Sequence, residues 1–361
     1  MSYRWIATQN DLNDLISRLQ PLEWVVIDTE ADSFHHFQEK LCLVQLLTPQ
    51  GVELIDPLVK LDFSSFWSVL GDKKWKIHAA DYDLRLIRKV GGKTPPEIFD
   101  TFIAAQVLGK KTLSYSALVL EYKGITLSKS NQKADWTLRP LNESMLDYAA
   151  ADVLHLDPIV LSLKGELEQL GRTAWFNQSC QRQMRVTMVP EAEEEDPDAW
   201  QVSGHHQLDP HSRTILKHLW QWRHEEAATR DLAPFRVLRN DLMISLVERF
   251  SKNPKAEFPI PPFIKGESKQ RLINKIEAAI EAEPIPFIHT RRPDPMSLAV
   301  EKRFNAFREK RQKVSEDLGM DPGFIASKAV LIELAENPES APEKLMKEDR
   351  CCQWQMDLMT S

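Results

Sequence analysis

The feature that most constrains this chain is a set of four acidic residues and one tyrosine spread over its first 152 positions. Asp28 and Glu30 lie in Trp24-Val-Val-Ile-Asp-Thr-Glu30, and Asp83 in His78-Ala-Ala-Asp-Tyr-Asp-Leu84. Tyr148 and Asp152 lie in Asp147-Tyr-Ala-Ala-Ala-Asp-Val153. Trp24 to Ile27 is a short apolar, β-branched run of the kind that builds a buried strand. Strand side chains alternate, so Asp28 and Glu30 leave its end on one face. Tyr148 and Asp152, at i and i+4 on an alanine-rich segment, share one face of a helix. Two carboxylates ~5 Å apart at an effective dielectric of ~20 repel by roughly 3 kcal/mol. A fold that gathers four of them must protonate some or place cations between them. Oxygen-only ligands select hard ions such as Mg²⁺ or Mn²⁺, and paired cations suit phosphodiester hydrolysis. Singly, the pieces say little: an Asp ending a strand is often a turn residue, and a lone Asp-x-Glu or Tyr-x-x-x-Asp is most often a solvated pair.

In this order they say more. Asp28-Thr-Glu30, then His78 through Asp83, then Tyr148-Ala-Ala-Ala-Asp152 resemble the three exonuclease motifs of ribonuclease D, the tyrosine-bearing branch of the DEDD 3′→5′ exonuclease superfamily. Lys129-Ser-Asn-Gln-Lys-Ala-Asp135-Trp136-Thr-Leu-Arg139-Pro140-Leu141 is similar to the segment that precedes the family's third motif. The likeness covers roughly residues 20 to 190. It implies an α/β, ribonuclease H-like exonuclease domain, a mixed five-stranded sheet flanked by helices. It also implies two divalent ions, Mg²⁺ or Mn²⁺, held by Asp28, Glu30, Asp83 and Asp152, with Asp28 bridging both. Tyr148 would orient the attacking water. With an ordinary pKa near ~10, only about one tyrosine in a thousand is ionised at pH 7, so the metal must do most of the acidification. Asp81 competes with Asp83 for the third position, and the family pattern favours Asp83, directly before Leu84.

Other positions are softer candidates for substrate contacts. The Thr29 backbone, beside two ligands, would touch the terminal 3′-hydroxyl. Gln45 and His78 lie on strands near the site, and Lys129 and Arg139 would contact phosphates. Each has a plainer reading, as a strand residue, a hydrogen-bonded core residue or surface charge. Commoner family members carry an aromatic residue after Glu30. Here Ala31-Asp32 follow, and Phe34 or Phe37 would pack against the terminal nucleotide instead.

At 361 residues the chain can form two or three domains with a substantial core. Hydrophobic content of 42% and charged content of 27% are ordinary for a globular protein. No apolar run approaches the ~18 residues of a membrane span, and the N-terminus lacks an apolar signal core. Cys42, Cys180, Cys351 and Cys352 show neither metal-ligand spacing nor a disulfide framework. Cys42, within the apolar run 41–47, reads as a small buried hydrophobe, and a reducing cytoplasmic location fits. A net charge of −7 opposes a nucleic-acid partner. Its distribution offsets that: 13 basic against 6 acidic residues lie between Lys73 and Arg139, while 191–200 holds six acids and no base. The basic surplus either tracks a phosphate backbone or is solvated surface lysine.

The pattern predicts a helix over about 10–20 capped by Asn10, then strands at 24–30, 41–48 and 51–57, the last two joined as a hairpin through Pro49-Gln50-Gly51. A strand at 75–80, a helix at 84–90 ended by Gly91-Gly92, a short strand at 97–100 and mainly helices to about 189 complete an exonuclease domain over 1–190. Residues 191–204 read as an acidic linker. A weak internal repeat follows. Trp222-Arg223, Arg230-Asp231-Leu232, Arg239-Asn240-Asp241-Leu242 and Asn253-Pro254 parallel Phe307-Arg308, Glu316-Asp317-Leu318, Ser327-Lys328-Ala329-Val330 and Asn337-Pro338. Both copies, 205–290 and 297–361, resemble the small helical HRDC domain shared by RecQ-type helicases and ribonuclease D. The combined expectation is a monomeric exoribonuclease that trims 3′ ends of structured RNA such as tRNA precursors. A DNA 3′→5′ exonuclease and a non-catalytic RNA-binding scaffold are the alternatives.

Overall fold

The computed structural model describes residues 2–32, 34–128, 130–188, 196–286 and 297–361. Lys129 and the first five residues of the expected linker lie outside them. The chain divides into two compact units: Met1–Ala31, Leu41–Pro190 and Pro295–Ser361 form one, and Asp32–Lys40 with Glu191–Asp294 form the other.

The first unit is built on a sheet of β1 (Tyr3–Ile6), β2 (Trp24–Asp32), β3 (Lys40–Thr48), β4 (Gly51–Ile55), β5 (Lys74–Ile77) and β6 (Ile98–Asp100), in the order β1-β4-β3-β2-β5-β6. Six strands stand where five were expected. The extra one, β1, pairs parallel with β4 at the sheet edge, Tyr3 opposite Val52 through Ile6 opposite Ile55. Four residues interrupted by Arg4 carry too little alternation to announce a strand. The expected hairpin is present, with β3 and β4 antiparallel from Val44–Ile55 to Thr48–Gly51. β2, β5 and β6 run parallel, with Val26 opposite Lys76 and Ile77 opposite Asp100. Asp28, His78 and Asp100 therefore fall at the same ends of three neighbouring strands, where open α/β sheets place their ligands.

Helices α1 (Gln9–Leu19), α2 (Ser64–Gly71), α3 (Asp81–Lys89), α4 (Thr101–Leu108), α5 (Tyr115–Lys123), α6 (Glu143–Leu154), α7 (Leu156–Gln169) and α8 (Thr173–Met188) pack with this sheet. The cap of α1 is Thr8, whose hydroxyl accepts from the Asp11 N–H at 3.2 Å; Asn10 lies inside the helix. β5 stops at Ile77 rather than running to residue 80, because Ala79 takes φ +59. Cys42 is fully buried in the core among Leu41, Leu43 and Val44, and all four cysteines are buried thiols.

The second unit contains α9 (Pro210–Arg230), α10 (Pro234–Val237), α11 (Asn240–Lys252) and α12 (Gly266–Glu281), packed around Leu219, Trp222, Leu246 and Leu272. Trp200 and Val202 belong to this core. The later part of the expected linker is thus anchored, with the Arg213 guanidinium 5.7 Å from the Trp200 ring centre. The β2–β3 connection also belongs here: Phe34 meets Phe235 edge-on at 6.4 Å, and Phe37 meets His224 at 6.1 Å.

Residues 297–361 repeat the design of the second unit as α13 (Leu298–Leu318), α14 (Pro322–Ile325), α15 (Lys328–Glu336), α16 (Ala341–Lys347) and α17 (Gln353–Thr360). Both long helices have 21 residues and end on a left-handed residue, Asp231 or Gly319. Both are followed by a four-residue helix opening on proline. Arg223 Nη1 donates to the Leu238 carbonyl at 3.2 Å, and Arg311 Nη1 donates to the Ala326 carbonyl at 2.8 Å. The repeat therefore pairs Arg223 with Arg311, not with Arg308 as the sequence spacing suggested. The later pairings at Arg239–Ser327 and Asn253–Asn337 match the structural alignment. The third helix of the copy has 9 residues against 13.

This copy has its own core of Met320, Leu331, Leu334, Leu345 and Met359, yet it forms one unit with the sheet. Trp175 on α8 stacks on Trp354 at 5.0 Å and 14°, and Trp354 Nε1 donates to Ser179 Oγ at 3.2 Å. Arg172 donates to the Leu318 carbonyl at 3.0 Å, and Arg185 pairs with Asp349 at 2.8 Å. At Gly109, the C-cap of α4, an added Cβ would stand 2.2 Å from the Gly319 carbonyl oxygen. Gly109 (φ +75) and Gly124 (φ +68) share a left-handed backbone, but nothing lies within 4 Å of a Cβ at Gly124. Gly124→Ala should destabilise by about 1 kcal/mol through backbone strain alone. Gly109→Ala should lose roughly 3 kcal/mol, because the overlap adds to the strain. Urea titration of both variants measures the difference.

Candidate metal-dependent active site

Carboxylate oxygens of Asp28, Glu30 and Asp152 lie within 4.8 Å of one another. Alternation along β2 sets Asp28 and Glu30 side by side. Met145, Ala149, Ala150 and Val153 are buried on α6, and the small alanines leave its Tyr148–Asp152 face at the cleft. Asp83, in the first turn of α3, is 6% exposed and accepts a hydrogen bond from the Thr29 hydroxyl. Asp81 points elsewhere: it is exposed and accepts from Arg85 at 3.1 Å and Gln183 at 2.7 Å. Of the two candidates in motif two, geometry brings Asp83 to the cluster.

The electrostatics are those of an uncompensated anionic site. Burial, then repulsion from Asp83, Asp152 and Glu30, drives Asp28 well above the usual carboxylate range. Glu30 is raised the same way, by burial and then by Asp152 and Asp83. Burial pushes Asp83 up to about 7, although the Thr29 hydroxyl opposes the rise. Burial also pushes Asp152 up to about 7, opposed by the Tyr148 hydroxyl. The all-oxygen donor set of Asp28, Glu30 and Asp152 within this span fits a hard divalent ion. Tyr148 is itself raised, by burial first and then by Asp152, Glu30 and Asp28, so its phenol remains protonated.

The cleft over this cluster has a volume of about 320 Å³. Thr29 and His78 line it as expected, together with Ser114, Tyr115, Ser116, Leu127, Ser128 and Gln132. The serines went unnoticed in the sequence because hydroxyls on a loop and a helix cap form no motif; only Ser114, which accepts from the Ala117 N–H at 3.4 Å, was legible as a cap. Gln45 lies outside this lining, fully buried with both amide atoms unpartnered. Arg139 meets the phosphate expectation poorly. Its five N–H donors are taken by both Asp56 oxygens at 2.6 Å and by the carbonyls of Cys42, Trp136 and Leu138. Its work is to tie the loop before α6 to the ends of β3 and β4. The basic surplus is reduced likewise, since Lys74 pairs with Glu23 and Glu97, Lys76 with Asp157, and Lys110 with Glu121 and Glu166. Phe34 and Phe37 are engaged by aromatic rings of the helical unit.

Residues 3–168 match a family model described as 3′-5′ exonuclease, and residues 212–261 match one described as HRDC domain. A ribonuclease D from Zymomonas mobilis is 33% identical over 293 residues, 78% of this chain and 74% of that protein. The chain belongs to the ribonuclease D family. A ribonuclease D from a Shewanella species is 31% identical over 257 residues, and the match spans 70% of this chain but only 65% of that relative's length. The crystal structure of Escherichia coli RNase D, described as an exoribonuclease involved in structured RNA processing, superposes with a TM-score of 0.70 at 26% identity. That match covers 99% of this chain and 96% of that one. Family membership agrees with the ribonuclease D resemblance of motifs one to three and with the HRDC resemblance of residues 205–290. Among the described residues no helix is long and apolar enough to cross a membrane.

His78 offers a test of the cleft's polarity. Burial lowers its pKa to about 4, so the folded state holds a neutral imidazole. Protons therefore bind the unfolded chain first, and stability falls as pH drops from the unfolded value near ~6.5 towards 4. Wild type minus His78→Asn should lose about 2 kcal/mol of relative stability between pH 7 and pH 5. Urea titration of both chains at the two pH values isolates this contribution from the carboxylates, which are common to both.

Proposed function

We propose that this chain hydrolyses phosphodiester bonds at the 3′ end of RNA, releasing mononucleotides, with two divalent cations, Mg²⁺ or Mn²⁺, held by Asp28, Glu30, Asp83 and Asp152. The observation that carries the reading is the convergence of the half-buried Asp28, Glu30 and Asp152 carboxylates within 4.8 Å, where desolvation and neighbouring acids raise the proton affinity of Asp28 and Glu30. Bound there, such ions acidify water and stabilise a departing oxyanion in an in-line displacement. Asp28, which interacts with Glu30, Asp83 and Asp152, would be the ligand shared by both ions. Tyr148 keeps its proton and hydrogen-bonds Asp152, so it acts as an orienting donor beside the scissile phosphate and not as the base. Ligand clefts run from about 300 to 1,000 Å³, and a small one of this kind suits a single nucleotide terminus. Structured RNA 3′ ends, tRNA precursors among them, are the proposed substrates, in keeping with the description of the Escherichia coli relative.

A time course on 3′-end-labelled RNA with and without EDTA tests the reading; the expected result is stepwise loss of label as mononucleotide only when metal is present. Asp28→Asn should abolish release while raising the urea stability of the metal-free chain by about 1 kcal/mol, a fraction of the ~3 kcal/mol repulsion between close carboxylates. Undiminished release by this variant would remove Asp28 from the chemistry. Labelled RNA and DNA strands offered in competition should show preferential loss of RNA; preference for DNA would transfer the assignment to a DNA exonuclease.

A further inference from the structure

The turn between β5 and α3 has an uncommon backbone. Ala79 sits at φ +59, a left-handed conformation that disfavours a residue with a Cβ. Ala80 returns to the right-handed region at φ −56, ψ −16. Successive residues of opposite hand aim neighbouring N–H groups into one concavity, a nest for an anion. The anion in it is Asp100, the last residue of β6. Its Oδ1 accepts from the Ala79 N–H at 2.9 Å and the Phe102 N–H at 2.8 Å, and its Oδ2 accepts from the Ala80 N–H at 2.8 Å. Asp100 is 1% exposed, so these bonds are what compensate its buried charge. Thr101 reinforces the grip: its hydroxyl donates to the Ile77 carbonyl at 3.3 Å and meets His78 Nδ1 at 2.9 Å.

We propose that Asp100 is a positioning residue for metal binding. By holding Ala79 and Ala80 it fixes where α3 begins and which way it runs, and Asp83 rides in the first turn of that helix. The proposal rests on the reading of the four carboxylates as a metal site. A carboxylate is required because three N–H groups converge on it from two sides. An asparagine would supply one acceptor oxygen and turn its own N–H₂ towards a backbone donor.

The test is Mn²⁺ binding by titration calorimetry on the full chain, with turnover of labelled RNA alongside. Removing the hydrogen-bond partners that orient metal ligands typically weakens affinity or activity by about 10- to 100-fold. Asp100→Asn should weaken Mn²⁺ by at least tenfold and lower kcat to match. Ala79 is exposed and gives an independent handle that leaves the carboxylate untouched. A β-branched residue resists φ +59, whereas glycine accepts it. Ala79→Val should therefore weaken Mn²⁺ as Asp100→Asn does, and Ala79→Gly should bind as the parent. If Asp100→Asn does not fold, the Val/Gly pair decides. A folded Asp100→Asn or Ala79→Val that binds Mn²⁺ as tightly as the parent overturns the proposal alone. A parent chain that takes up no Mn²⁺ overturns the metal-site reading, and the proposal with it.

Discussion

Repulsion among carboxylates gathered at one cleft is the constraint around which this molecule is organised. Asp28, Glu30, Asp83 and Asp152 come from a strand and two helices far apart in sequence; Asp83, Asp152 and Glu30 raise the proton affinity of Asp28, and Asp152 and Asp83 raise that of Glu30. Nothing in their own interactions favours that meeting, so the surrounding frame must impose it. The frame does so with neutral, closely packed parts: a fully buried strand core at Val25–Ile27, the alanine face of α6, and Trp136, which is 1% exposed and lies 6.0 Å from the Tyr148 ring. Within β2, Thr29 engages the acids, its hydroxyl donating to Asp83 and its backbone hydrogen-bonding Asp28 and Asp83.

How much of this could be read beforehand depended on whether a residue's role is local. Asp28 and Glu30 were legible because strand alternation fixes their common side, and Tyr148 and Asp152 because a helix repeats at four residues. Asp83 was separated from Asp81 by pattern alone, and the physical difference, burial against an ion pair with Arg85, is visible only in three dimensions. Arg139 was misleading for the same reason. A basic residue in a nucleic-acid enzyme suggests phosphate, and only the fold reveals Asp56 and three carbonyls around it. The run 75–80 read as a strand because Trp75 and Ile77 alternate with Lys76 and His78, yet a carboxylate twenty residues on bends its end into a turn. Such long-range polar interactions leave no periodic trace.

The two helical copies show how one design can serve different surroundings. Their shared arginine-to-carbonyl latch and the matching lengths of their first two helices set a common scaffold. Their exposed faces then diverge. In the second copy, a shortened third helix and a terminal helix bearing Trp354 suit close packing on α8, with Gly109 and Gly319 stripped of side chains where the backbones meet.

That packing has a consequence for biosynthesis. The residues of the sheet are translated before the helices that cover Trp175 and receive Arg172. At translation rates of about 5–20 residues per second, the gap between α8 and α13 leaves this apolar surface open for on the order of ten seconds. The growing polypeptide thus passes through a stage with the residues of the cleft already made and an uncovered flank, and the sheet is buttressed only once α13–α17 have been synthesised.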